Sequence, residues 1–277
     1  MIKANKSITD KLNDDGYAVI KNCIDGKLLN KINKSLEKKF KEIITQRGEK
    51  VISNNLTRNF LKLKKNLPQY EIQKILAKHL VDENLIDKIF IQKKLQMNLI
   101  NLVGPDLSYM TDFELAITEK SLTNEDSYYI KKYHQEFWSG AGLEVLQLWI
   151  PINLKKKMGT IAIIESSHKW GHIPNRNREP IELPKKYKKV ELNINNGSVA
   201  VMSPLTLHKT IENKHNEIRI ALPITIKNFY YPNTGNSDLN HFKKINFSVF
   251  SNLRKALGNP HLTPYRTFHL AKTKKID

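Results

Sequence analysis

Near residue 105 the apolar pattern of this sequence changes period, and that change constrains the fold more than any other feature. Before it, hydrophobic residues recur at helical spacing. In "DGKLLNKINKSLEKKFKEII" Leu28, Ile32, Leu36 and Phe40 share one face, and lysines occupy the other. Segments 69–80 and 83–97 read as amphipathic helices on the same grounds. One short strand interrupts this part, in "DDGYAVIKNCI" (Asp14 to Ile24), directly after a turn. From about 105 to 230 the apolar residues come in short runs broken by Gly, Pro and Asn. "LEVLQLWIPI", "GTIAIIESS", "KKVELNINNGSVAVMS" and "EIRIALPITI" all read as strands. Many short strands after a helical start predict a closed sandwich or barrel with helices packed outside. A last helix is expected near 247–258, followed by an irregular basic end. No repeat or linker divides the chain. One domain is therefore expected over 1–277, with a mainly helical wall and one strand over 1–105, a β core over 106–230, and a C-terminal helix and tail over 231–277.

Composition narrows the function classes. Hydrophobic residues make up 40% of the chain, enough for a packed core and too many for a disordered protein. No apolar run approaches the ~18 residues of a membrane span. The opening residues "MIKANKSITDKLNDDGY" lack the apolar core of a signal peptide, so a cytoplasmic location with no membrane partner is expected. Cys23 is the only cysteine, which excludes an internal disulfide and a cysteine-based zinc site. The net charge is +19, from 46 Lys and Arg against 27 Asp and Glu. The excess is mostly lysine spread along the chain. It reads as a solvated basic surface rather than a dedicated nucleic-acid face, and it suits a polar or anionic small substrate.

Two stretches carry chemistry. In "YIKKYHQEFWSGAGLEVLQLWIPI" (Tyr129 to Ile152), His134 and Glu136 stand two apart. On a strand they would project from one face, with Tyr133, Gln135 and Phe137 turned toward packing. Alone, His-x-Glu is a common accident. The second stretch is "NNGSVAVMSPLTLHKTIENKHNEIRIALPI" (Asn195 to Ile224), where a glycine turn starts a strand that runs toward His208. Arg219 follows in a well-alternating segment, with Glu217, Arg219 and Ala221 on one face and Ile218, Ile220 and Leu222 on the other. An inward arginine needs an anionic partner, whereas an outward one can pair with Glu217. Two histidines and one carboxylate on one side of an ion form the facial triad that suits non-haem Fe(II) and leaves positions open for a chelating cosubstrate and oxygen. A guanidinium beyond it can hold the distal carboxylate of such a cosubstrate through paired hydrogen bonds.

In these stretches the sequence resembles the phytanoyl-CoA dioxygenase-like branch of the Fe(II)/2-oxoglutarate-dependent oxygenases. The matching pieces are "DDGYAVIK", "YHQEF", "LWIPI", "GTIAIIESSHKWGH" and "NGSVAVMSPLTLHKT" with the later arginine. The resemblance implies a double-stranded β-helix, or jelly roll of the cupin kind, with N-terminal helices packed outside and iron at one mouth. It implies that His134, Glu136 and His208 bind Fe(II) and are the catalytic centre. It further implies that Arg219 salt-bridges the C5 carboxylate of 2-oxoglutarate and that Thr210 supplies a hydroxyl to the same carboxylate. The "SSHKWGH" segment matches a Ser-His loop that holds no ligand. The family most often carries His-x-Asp, and here the carboxylate is Glu136, one methylene longer. A retained carboxylate argues for hydroxylation or a related oxidation of a small-molecule substrate with molecular oxygen rather than halogenation. The competing reading is a jelly-roll binding module with a degenerate metal site and a basic surface for nucleic acid or glycan.

Other residues carry less. His168 and His172 are four apart, but Gly171 and Pro174 crowd the segment and no Glu follows His168, so a loop over the barrel is expected. Trp149 reads as core or as a wall of the cosubstrate pocket. Trp138, just after the His-x-Glu pair, is the substrate-facing candidate. Lysines 155–157 and "KKYKK" at 185–189 read as solvated loops, and His215 and His241 as surface positions.

Overall fold

The computed structural model describes residues 6–51, 53–120, 132–231, 234–235, 241–246, 248–249 and 252–253. The change of period falls where helices give way to strands. Ahead of it lie α1 (Ile8–Asp15), β1 (Tyr17–Ile20), α2 (Gly26–Gln46), α3 (Leu56–Lys64), α4 (Gln69–Asp82), α5 (Leu85–Phe90) and α6 (Lys93–Val103). After it come β2 (Leu107–Met110), β3 (Ala116–Thr118), β4 (Leu146–Pro151), β5 (Ile161–Ile164), β6 (Asn175–Arg176), β7 (Glu179–Pro180), β8 (Lys189–Glu191), β9 (Val199–Met202), β10 (His208–Thr210), β11 (Arg219–Asn228) and β12 (Phe242–Lys244). Each of the four strand stretches read from the sequence contains at least one of these strands. The helix expected near 247–258 lies largely outside the described residues.

Local chemistry sets the helix ends. Ser7 and Asp10 form a reciprocal capping box at the start of α1, which satisfies orphan backbone donors there. Gly16 ends that helix at φ 83°, in the left-handed region where a side chain is strained. A Cβ at Gly16 would also run into the His168 ring and the Thr206 hydroxyl, so the turn before β1 needs glycine twice over. The long helix α2 buries Leu29, Ile32, Leu36, Phe40, Ile43 and Ile44. Leu28 is only partly buried, and Leu29 takes the core position beside it. The expected helix over 83–97 is two helices. Asn84 is left-handed, at φ 53°, and α5 and α6 are separated by a break at Ile91 and Gln92. The split lets both pieces turn apolar faces inward, through Leu85, Ile86, Ile89 and Phe90 on α5 and Leu95 and Leu99 on α6. Helices α1 and α3 were not anticipated.

The strands form a seven-stranded sheet in the order β1-β9-β4-β11-β2-β12, with β3 also paired to β11, a three-stranded sheet β10-β5-β8, and the small hairpin β6-β7. All of these pairings are antiparallel. Alternation gives the large sheet two apolar faces. On one face Leu148, Ile150, Val201, Ile220, Leu222 and Ile224 pack with Ile32, Leu36, Phe40 and Leu76 from the helices. Each fully buried large side chain there contributes roughly 1.5–3 kcal/mol. On the other face Trp149, Ala200, Met202 and Ala221 meet Ile161 and Ile163 of β5. The large sheet is therefore sandwiched between the helices and the small sheet, which is the jelly-roll arrangement with helices outside. The closed barrel expected from the strand count is not formed. Among the described residues no ladder joins the two sheets, and interleaved side chains hold them face to face. No helix of the described residues is long and apolar enough to cross a membrane.

Candidate metal centre

His208 opens β10 and pairs with Ile163, so its side chain lies on the face of the small sheet that meets Trp149 and Ala221. His134 is held opposite it. The backbone N–H of His134 donates to the carbonyl of His208 at 3.0 Å, and that of His208 to the carbonyl of His134 at 3.1 Å. Such a reciprocal pair puts two Cα atoms about 5.5 Å apart with their side chains on one face. The imidazole centroids are 4.4 Å apart.

Glu136 reaches the same point by a route the sequence did not reveal. His134 belongs to no extended strand but forms a lone bridge, and Glu136 begins a single 3-10 turn, Glu136–Ser139. The turn is tied down by the N–H of Phe137, which donates to the Pro204 carbonyl at 3.1 Å, and it closes on Gly140 at φ 89°. Gln135 explains the departure from a strand. Its side chain is fully buried, donates to the carbonyls of Gly171 and Leu205 at 2.8 and 2.7 Å, and accepts from the N–H of Ile173 at 3.1 Å. These bonds draw the backbone toward two loops and bend it at the residue between the two candidate ligands. Glu136 Oε1 ends 3.5 Å from His134 Nε2 and 3.4 Å from His208 Nε2.

The donor set fits a divalent ion. One ligand atom from each of His134, Glu136 and His208 lies within 4.8 Å of the others. His134 Nδ1 sits 2.9 Å from the Lys132 carbonyl and His208 Nδ1 sits 3.0 Å from the Thr206 carbonyl. A carbonyl only accepts, so each Nδ1 carries a proton and each Nε2 is the ring nitrogen turned toward the carboxylate, where a metal would meet it. This outer-ring hydrogen bonding is what orients metal-binding imidazoles. Two nitrogens and one oxygen on one side of the point match the facial arrangement.

Arg219 is fully buried at the start of β11. Its Nη1 donates to the carbonyls of Met158 and Ile211 at 2.9 and 3.0 Å, and its Nη2 to the Thr118 hydroxyl at 2.9 Å. Its Nε has no partner, and among the described residues no carboxylate pairs with the guanidinium. Glu217, the outward partner considered above, instead pairs with Lys155 at 2.7 Å. Burial pushes the Arg219 pKa down to about 10, which leaves it charged at neutral pH. The guanidinium lies 5.8 Å from the centre of the Trp149 ring. Its bond to Ile211 sets it three residues beyond His208, about 10 Å along a strand. The guanidinium is therefore a buried cation held only by neutral acceptors, with one donor to spare.

Thr210 shares the inner face with His208 and lies between it and Ile211. Thr118, which Arg219 bonds directly, was missed. Its only sequence signal is a place in a short unremarked run, "LAIT", and the contact appears once β3 pairs Thr118 with Arg219. Trp138 sits half-buried in the 3-10 turn against Ile164, Ile173 and Leu207, and its Nε1 donates to the Ile173 carbonyl at 3.0 Å. Trp149 is buried in the inter-sheet core. His168 and His172 stay outside the triad. His168 Nε2 donates to the Asn13 carbonyl at 2.9 Å, and the His172 ring lies 5.2 Å from that of Phe137. His215, expected at the surface, is half-buried, and its Nδ1 accepts from the N–H of Glu217 at 3.1 Å. His241 and the lysines of 155–157 and 185–189 are exposed as expected.

A family model described as phytanoyl-CoA dioxygenase matches residues 12–221, about three quarters of the sequence. The chain belongs to the phytanoyl-CoA dioxygenase family. The match spans β1, His134, Glu136, His208 and Arg219 together, so this protein is an enzyme of the non-haem iron and 2-oxoglutarate type. Among solved structures it is similar to the apo form of a non-haem monooxygenase, ThoJ, with a TM-score of 0.61 at 14% identity over 87% of this chain and 84% of that one. The nickel complex of ThoJ aligns with a TM-score of 0.56 at 13% identity over the same shares. At such identity the likeness speaks for the fold. No curated protein matches the sequence.

Proposed function

We propose that His134, Glu136 and His208 hold Fe(II), that Arg219 with Thr210 holds the C5 carboxylate of 2-oxoglutarate, and that the enzyme hydroxylates a polar or anionic small molecule with molecular oxygen. The observation that carries this reading is the pairing of a convergent His-Glu-His set with a fully buried arginine that lacks an acidic partner. When bound, iron and 2-oxoglutarate supply the oxidising chemistry.

The chain's own residues do the rest. The Lys132 and Thr206 carbonyls fix both imidazoles in the tautomer that offers Nε2. Gln135 locks the turn from which Glu136 projects. Arg219, itself held by three acceptors, orients a dicarboxylate from its far end, so its other end is presented near the triad. Trp149, Ala221, Ile161 and Ile163 keep water from the space between the sheets. Trp138, anchored through its Nε1 beside Glu136, offers an aromatic edge to the substrate. The positive net charge favours the approach of anionic molecules.

The test is 2-oxoglutarate-dependent succinate formation by the purified protein with Fe(II) and oxygen, measured without added substrate and then across a panel of metabolites. His134→Ala and His208→Ala are expected to abolish it. Full activity in the His208 variant would remove the triad assignment.

A further inference from the structure

The inner face of the large sheet does not end at the arginine pocket. Along β4 the inward residues are Pro151, Trp149 and Gln147, paired with Ala221, Pro223 and Thr225 of β11. The first pairs are apolar. The third is not: the Thr225 hydroxyl donates to Gln147 Oε1 at 2.8 Å. That bond uses the acceptor of the amide and turns its NH2 group away from Thr225. No acceptor meets Gln147 Nε2 among the described residues. Gln147 and Thr225 retain 7% and 8% exposure, whereas Ala200 and Ala221 retain none, so this pair touches open space on the inner face.

Its position separates it from the cosubstrate pocket. Thr225 lies six residues from Arg219 on one strand, about 20 Å at the usual rise, which a five-carbon dicarboxylate does not span. Gln147 also pairs with Met202, two residues before the Pro204 carbonyl that anchors the Glu136 turn. The amide thus lies toward the Pro204 end of this face and away from the guanidinium, which leaves it to a substrate rather than to 2-oxoglutarate.

We infer that Gln147, held by Thr225, is a specificity-determining residue that orients the substrate by donating to an acyl oxygen, so that the substrate carries a carboxylate or carboxamide near the oxidised carbon. The inference rests on the iron and cosubstrate reading above and deepens it. With its oxygen already accepting from Thr225, the amide turns its NH2 donors to the open side, and a site built to donate rejects groups that cannot accept. Lys227, two residues on from Thr225 on the same face, is buried beside the Phe242 ring, 4.9 Å from its centre.

Three six-carbon probes test it: hexanoate, hexanamide and hexylammonium. The side-chain amide resonances of Gln147, identified by their loss in Gln147→Leu, are followed by NMR in metal-free protein, which needs neither iron nor turnover. Hexanoate or hexanamide is expected to shift them and hexylammonium to leave them unmoved. The stronger of the first two shows whether charge or the carbonyl alone is recognised. In the anaerobic Fe(II) and 2-oxoglutarate complex, the visible band is expected to respond to the same probes. There Gln147→Leu raises the half-saturating probe concentration at least tenfold, Thr225→Val raises it three- to tenfold, and Gln147→Glu turns the preference to hexylammonium. The half-saturating 2-oxoglutarate concentration moves less than threefold. Equal responses to hexylammonium and hexanoate, or Gln147 resonances unmoved by either acyl probe, overturn the inference, as does a 2-oxoglutarate requirement that rises as much as the probe's. Absence of the visible band in the wild type, with the amide shifts intact, counts against the cofactor reading and not against Gln147.

Discussion

Replacing Arg219 with methionine separates the arginine's part in cosubstrate binding from its part in folding. The side chain is fully buried, its three hydrogen bonds go to neutral acceptors, and burial has already lowered its pKa to about 10. In the cosubstrate-free protein two effects oppose one another. Methionine removes a desolvated charge that costs several kcal/mol to bury. It also strands the Met158 and Ile211 carbonyls and the Thr118 hydroxyl, at about 1–3 kcal/mol for each group left dry. Folded stability is therefore expected to change by less than ~2 kcal/mol, the residue of these two opposed costs. Binding of 2-oxoglutarate has no such offset. Truncating one partner of a buried charge pair costs about 2–5 kcal/mol, or about 30- to 5,000-fold in affinity. The assay is an anaerobic titration of the Fe(II)-loaded variant with 2-oxoglutarate, set beside a urea melt of the same sample. A folded variant that binds 2-oxoglutarate within threefold of the wild type would refute the reasoning, because the guanidinium would then have no anion to hold.

Other outcomes follow from the same geometry. Glu136→Ala should lose iron at micromolar concentrations, while Glu136→Asp, shorter by one methylene on a turn pinned by Pro204, should bind it at least tenfold more weakly than the wild type; equilibrium dialysis of Fe(II) reads both. Gln135→Leu leaves two carbonyls and one N–H without partners at about 1–3 kcal/mol apiece, so it should lower the urea midpoint and weaken iron together. Loss of stability with unchanged iron affinity would show that the glutamine does not position Glu136. Burial pushes the Cys23 thiol up to about 11, so iodoacetamide at pH 8 should label it only at the rate of unfolding, and fast labelling of the folded protein would contradict the packing around β1.

Much of this was legible in the sequence because strand alternation is a strong signal. Arg219 was assigned to one face and Ile218, Ile220 and Leu222 to the other, and those isoleucines and that leucine do lie in the helix-facing core. The His134, Glu136 and His208 set was named from spacing and resemblance, and the three ligand atoms do converge. The reason first given for the convergence was wrong. A strand would have carried His134 and Glu136 on one face, but the buried amide of Gln135 bends the backbone into a 3-10 turn, and no local pattern announces a side chain that bonds loops 36 and 70 residues away. Thr118 was missed for a related reason: its role exists only through a pairing across a hundred residues. The helix expected over 83–97 illustrates a further gap. Apolar spacing runs on through it, yet left-handed Asn84 sets its start and the helix breaks again at Ile91 and Gln92, where no residue type announces a stop.

Titration of the metal-free protein with Fe(II) and 2-oxoglutarate under nitrogen tests the account's central claim most directly. One iron and one cosubstrate per chain should give a weak visible charge-transfer band, absent in His208→Ala and in Arg219→Met at the same concentrations. A band of undiminished strength in the His208 variant, or none in a folded wild-type protein, would contradict it.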